Sequence, residues 1–96
     1  MNFKKGLVAI TGALGPPQGP AFYVQRLLKS KELSASQAAE LIGVNQSTLS
    51  RFLNGSALTV DMAVKLNKGL GIDVQTLFNL DAQAKANEAE RLLNAS

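Results

Sequence analysis

From residue 20 onward the apolar positions recur at helical spacing, and the breaks between stripes fall on glycine, asparagine and small polar residues. Pro20 suits a first helical turn, and Phe22, Tyr23, Val24, Leu27 and Leu28 predict an apolar stripe on a helix to about Lys31. Ser34 with Gln37 three residues on makes a capping box, each side chain closing the other's orphan N–H. It opens a second helix that continues through Ala38, Ala39, Leu41 and Ile42 and is stopped by a left-handed Gly43. Asn45 caps a third helix from Gln46 to about Leu53, which Asn54-Gly55 ends. Thr59 caps a fourth, with Met62, Ala63, Leu66 and Leu70 inward and Gly71 closing it. Asp73 caps a short fifth helix bearing Val74, Leu77, Phe78 and Leu80. A separate polar helix is expected from Asp81 to Asn94, with Ala82, Ala86, Ala89 and Leu93 on one narrow seam. That stripe fits either an intrachain packing face or a dimer seam.

The pattern before residue 20 is different. Gly15-Pro16-Pro17-Gln18-Gly19-Pro20 cannot sit inside a helix cheaply and marks a boundary. The chain therefore divides into an arm (1–18), a helical domain (19–80) and a C-terminal helix (81–96). In the arm, Val8, Ile10 and Thr11 have strand character with no partner strand elsewhere in the sequence. Such a segment, Met1 to Leu14, can add to a sheet edge of another protein. Lys4-Lys5 reads as a solubilising pair, or as a contact to a polyanion. A signal peptide is a poor fit: the apolar run Leu7 to Leu14 contains Thr11 and Gly12, and Pro16-Pro17 stands where a cleavage site would be. No stretch approaches the roughly 20 apolar residues of a membrane-spanning helix.

Composition narrows the chemistry. At 96 residues, 46% apolar, 18% charged and mean hydropathy +0.06, the chain reads as one small globular domain with a tail. It has no histidine and no cysteine. That excludes zinc and haem ligation, cysteine nucleophiles, an imidazole base and disulfides, so no metal or cofactor is expected and a cytoplasmic setting fits. The carboxylates that might suggest an enzyme, Asp61, Asp73 and Asp81, fall in first turns or at helix starts, where they favour the helix dipole and cap free N–H groups. No catalytic residue is assigned. Net charge is +3 with a pI near 9.5, and the basic excess lies in the middle: six basic against three acidic side chains over 19–70. Such a balance permits a polyanionic partner without requiring one.

The second and third helices, joined by a short turn containing glycine, form a helix-turn-helix. Ala39 sits where the helices cross, Gly43 takes the positive φ that turns the chain, and Val44, Leu49 and Phe52 fill the angle between them. At about 100° per residue, Leu49, Phe52 and Leu53 cluster on one side of the third helix. The opposite side is centred on Ser47 and Arg51, with Ser50 beside them and Gln46 and Thr48 on the flanks. Taken singly, these residues are an ordinary solvated face, and Arg51 suits a phosphate as well as a guanine. Taken with Ala39, Gly43 and Leu49 in register, they are the equipment of a DNA-reading helix. The helix starts at Ser36-Gln37 and Gln46 offer free N–H groups to phosphate, and Asn54 and Ser56 add donors from the loop that follows.

Residues Ser34 to Gly55 closely resemble the phage-repressor-like, Xre-type helix-turn-helix proteins, through Ala39, Gly43-Val44, Gln46-Ser47, Leu49 and Asn54-Gly55. Leu53 to Leu66, Leu70-Gly71 and Leu77-Phe78-Asn79-Leu80 are similar to the HigA branch, antitoxins of host-inhibition-of-growth modules, and the resemblance spans about residues 16–84. It implies an all-α, five-helix lambda-repressor-like DNA-binding domain with an additional C-terminal helix and a flexible N-terminal arm. It also implies a homodimer that binds a double-stranded operator, represses its own operon and neutralises a small ribonuclease toxin. A stand-alone phage-type repressor with no toxin fits the same residues.

Overall fold

The computed structural model describes residues 19–95, which form five α-helices and, among these residues, no strand. They are α1 (Pro20–Ser30), α2 (Ala35–Ile42), α3 (Gln46–Leu53), α4 (Val60–Leu70) and α5 (Val74–Ala95). The expected caps form as the side chains dictate. Ser34 and Gln37 close their capping box at 3.1 and 2.9 Å. Thr59 Oγ1 accepts from the Met62 N–H at 3.0 Å, and Asp73 Oδ2 accepts from the Thr76 N–H at 2.8 Å. Gly43 and Gly71 end α2 and α4 in the left-handed region, at φ of 79° and 73°. The arm over 1–18 lies outside the described residues.

Thirteen apolar side chains form the core, eleven from the five helices with Leu58 and Ile72 from the connecting segments, and among the described residues no polar or charged side chain is buried. Val24 and Leu28 of α1, Leu49 and Phe52 of α3, Leu66 of α4 and Leu77 of α5 meet at its centre. α2 packs most extensively against α4 and next against α3, while α1 lies on α3 and α5. The buried faces are narrower than the apolar stripes of the sequence. Phe22, Tyr23 and Leu41 are 43%, 40% and 53% exposed, because a helix on a domain this small touches neighbours along only part of its girth. Phe22 instead stacks beneath the Arg26 guanidinium, 5.8 Å from the ring centre.

The chain's last two predicted helices are one. α5 runs unbroken from Val74 to Ala95 because no glycine or proline interrupts it, and Asp81 holds Lys85 one turn on at 3.0 Å instead of starting a new helix. Near its end Glu88 hydrogen-bonds Arg91, which holds the Glu88 carboxyl below the usual carboxylate range and raises the guanidinium. Among the described residues nothing packs on the alanine stripe: Ala82, Ala86, Ala89 and Leu93 are all exposed, which runs against the intrachain reading. The side of α5 that meets the body is the one bearing Leu77 and Ala84, the latter beside Gly19. No helix among the described residues is long and apolar enough to cross a membrane.

Candidate nucleic-acid interface

α3 is anchored by Leu49, fully buried, and Phe52, 3% exposed. Burying a side chain of that size contributes about 1.5–3 kcal/mol, so the roll of the helix about its axis is fixed. Fixing the roll fixes what faces solvent. Gln46, Ser47 and Arg51 are exposed, and Ser50 and Thr48 are half-buried on the flanks. The predicted reading face is thus brought together on one side of one helix. No hydrogen bond or ion pair engages the Arg51 or Gln46 side chain among the described residues.

The start of α3 is tied more closely than a simple cap requires. Asn45 Oδ1 accepts three hydrogen bonds: the Thr48 N–H at 3.0 Å, the Ser47 hydroxyl at 3.0 Å and the Thr48 hydroxyl at 2.7 Å. At the start of α2 the capping box uses the Gln37 N–H and the Gln37 carbonyl oxygen, leaving its amide nitrogen and the exposed Ser36 to meet a ligand. The N–H groups of Ala35 and Ser36, and those of Gln46 and Ser47, have no helical acceptor and remain open to an anion.

The far end of α3 turns out through Gly55, at φ 114°. The Gly55 N–H donates to the Phe52 carbonyl and the Ser56 N–H to the Arg51 carbonyl, both at 3.0 Å. Ser56 therefore offers its hydroxyl and not its amide, while Asn54 stands exposed beside it. Two positions that set this geometry carried no motif. Gln25 of α1 donates its side-chain amide to the Leu53 carbonyl, capping α3 from a neighbouring helix. Gly69 of α4 has no side chain because α2 occupies the space: a Cβ there would lie 2.5 Å from the Leu41 carbonyl oxygen and 2.7 Å from Ile42 Cα. A glycine three residues after buried Leu66 was the available signal for it.

Two helices turned by Gly43, with Ala39 buried, and joined with α4 and α1 around one core, match the helix-turn-helix family model over residues 24–77. The chain belongs to the helix-turn-helix family. It is a DNA-binding helix-turn-helix protein, and the residues laid along the outward side of α3 are its candidates for base contact. Over 78 residues it is 33% identical to an uncharacterized HTH-type transcriptional regulator, YddM, of Escherichia coli strain K12, covering 80% of this chain and 83% of that protein. Among solved structures it is similar to a putative antidote protein of a plasmid maintenance system from Nostoc punctiforme, at 26% identity and TM-score 0.76, covering 84% of this chain and 90% of that one. Antitoxin GraA (24%, TM-score 0.73, covering 81% and 86%) shares the fold. So does an addiction-module antidote protein of the HigA family from Coxiella burnetii (23%, TM-score 0.72, covering 84% and 90%).

Proposed function

We propose that this helix-turn-helix protein is a homodimeric, sequence-specific transcriptional repressor and the antitoxin of a type II toxin–antitoxin module. The observation that carries the DNA-reading part is the outward side of α3, where Gln46, Ser47 and Arg51 are exposed above a core that fixes the helix's roll. Arg51 has the donor fork for guanine and Gln46 the paired donor and acceptor for adenine. The open N–H groups at Ala35 and Ser36, with the loop side chains of Asn54 and Ser56, hold the phosphates that set register. In a dimer, each α3 enters a major groove with half-sites about 34 Å apart. The exposed Ala82/Ala86/Ala89/Leu93 stripe is the candidate seam, since nothing in the described chain covers it. Repression follows from occupying a promoter.

The antitoxin part is supported by the likeness to the Nostoc antidote protein over nine-tenths of that chain. Its proposed toxin-binding segment is Met1 to Leu14, which lies outside the described residues. A tagged pull-down from the native host tests this, followed by native mass spectrometry with and without nuclease. A small basic protein retained stoichiometrically after nuclease supports the antitoxin reading. Recovery of homodimer and DNA alone identifies a repressor with no toxin partner.

A further inference from the structure

The three hydrogen bonds on Asn45 determine what the reading face can recognise. A carboxamide oxygen only accepts, so a hydroxyl bonded to it has committed its single proton there. Ser47 and Thr48 do this at 3.0 and 2.7 Å. The Thr48 N–H bonds the same atom at 3.0 Å, which requires that atom to be the oxygen and not the amide nitrogen. The two hydroxyls therefore turn only lone pairs outward. Phosphate oxygens carry no proton and cannot satisfy them. In the major groove the groups that can are the exocyclic amino groups of adenine (N6) and cytosine (N4), whereas guanine offers N7 and O6 acceptors and thymine O4 and a methyl.

We infer that Asn45 is a positioning residue that holds Ser47 and Thr48 as an acceptor-only element, selecting an adenine or cytosine amino group. The inference rests on the DNA-reading function proposed above and adds its base class. Ser47, exposed at the centre of the outward side, makes the contact; Thr48, half-buried, helps hold the lock. Arg51 lies one turn beyond Ser47 and supplies donors only. The face is thus split, with donors at Arg51 for a guanine and acceptors at Ser47 for an amino group nearby.

The test uses the full chain and the duplex it selects from a random library. Each adenine is replaced in turn by purine, which lacks the amino group but keeps N7, or by 7-deazaadenine, which does the reverse. Each cytosine is replaced by 2-pyrimidinone, which lacks the amino group. Besides any adenine that Gln46 reads through both N6 and N7, whose 7-deaza form also binds weakly, the expected result is one further position at which removing the amino group weakens binding about fivefold, the worth of one hydrogen bond. If that base is adenine, its 7-deaza form binds as before. Ser47→Ala binds the altered and unaltered duplexes equally. Asn45→Gly, which costs a helix cap only a few tenths of a kcal/mol, melts close to wild type yet loses the discrimination because its hydroxyls are released. Full discrimination in Asn45→Gly, or indifference to every amino group, overturns the inference while leaving DNA reading intact. A chain that selects no sequence at all overturns both.

Discussion

Gly69→Ala sets two opposing effects against each other, and their sum has a definite sign. Glycine inside a helix costs about 0.5–1 kcal/mol relative to alanine, so in an open position the substitution would stabilise α4 by that amount. Position 69 is not open. The new Cβ would lie 2.5 Å from the Leu41 carbonyl oxygen and 2.7 Å from both Ile42 Cα and Cγ2. Two of those three atoms are backbone, so no side-chain rotation relieves the overlap and α2 itself must move. Overpacking of this kind costs about 1–3 kcal/mol. The net expectation is a loss of about 0.5–2 kcal/mol, a fall in Tm of roughly 2–16 °C for a domain of this size. Circular dichroism at the helical band during thermal and urea unfolding measures it. Because α2 carries the amides proposed to hold phosphate, DNA affinity is also expected to fall at temperatures where the variant is fully folded. Gly71→Ala is the control. Its added Cβ meets nothing within 4 Å, and its cost is the φ of 73° alone, so it destabilises without displacing α2 or weakening DNA binding. A Gly69→Ala protein that melts higher than wild type would refute the close α2–α4 approach.

Other substitutions probe other parts of the account. Glu32 ends α1 at φ 58°, the only non-glycine residue with positive φ among the described residues; Glu32→Gly should relieve that strain and stabilise by about 0.5–1 kcal/mol in urea unfolding. Ala86→Glu with Leu93→Glu alters two exposed positions of α5. Sedimentation should show the proposed dimer dissociating with Tm changed only through that dissociation, and a dimer that persists would move the seam elsewhere. Deleting residues 1–15 should abolish copurification of a toxin while leaving operator affinity within about twofold, and undiminished toxin binding would reject the arm.

Helix boundaries were legible because their signals are local. The Ser34–Gln37 box and the Asn45 and Thr59 caps are hydrogen bonds between residues three apart, and Gly43 and Gly71 satisfy a backbone angle that glycine tolerates best. That Gln46, Ser47 and Arg51 share the outward side of α3 was legible for the same reason, since Leu49 and Phe52 fix what lies opposite them. What eluded the sequence depends on neighbours distant in the chain. Gly69 is small because of Leu41 and Ile42, and Gln25 is polar because α3 ends beside it. The join at Leu80-Asp81 was misread because an aspartate caps a helix start and pairs with a lysine in a helix interior equally well, and the choice falls to Lys85. The alanine stripe has helical periodicity, but periodicity does not say whether the surface it meets belongs to the same chain.

The central claim is that the outward side of α3 reads base edges. It is tested most directly by fluorescence-anisotropy titration of the selected duplex and of a scrambled duplex with wild type, Gln46→Ala and Arg51→Ala at one fixed salt concentration. The account predicts that each substitution costs about 1–3 kcal/mol on the selected duplex and leaves scrambled-duplex affinity nearly unchanged. Equal losses on both duplexes would contradict it and reduce these side chains to phosphate contacts.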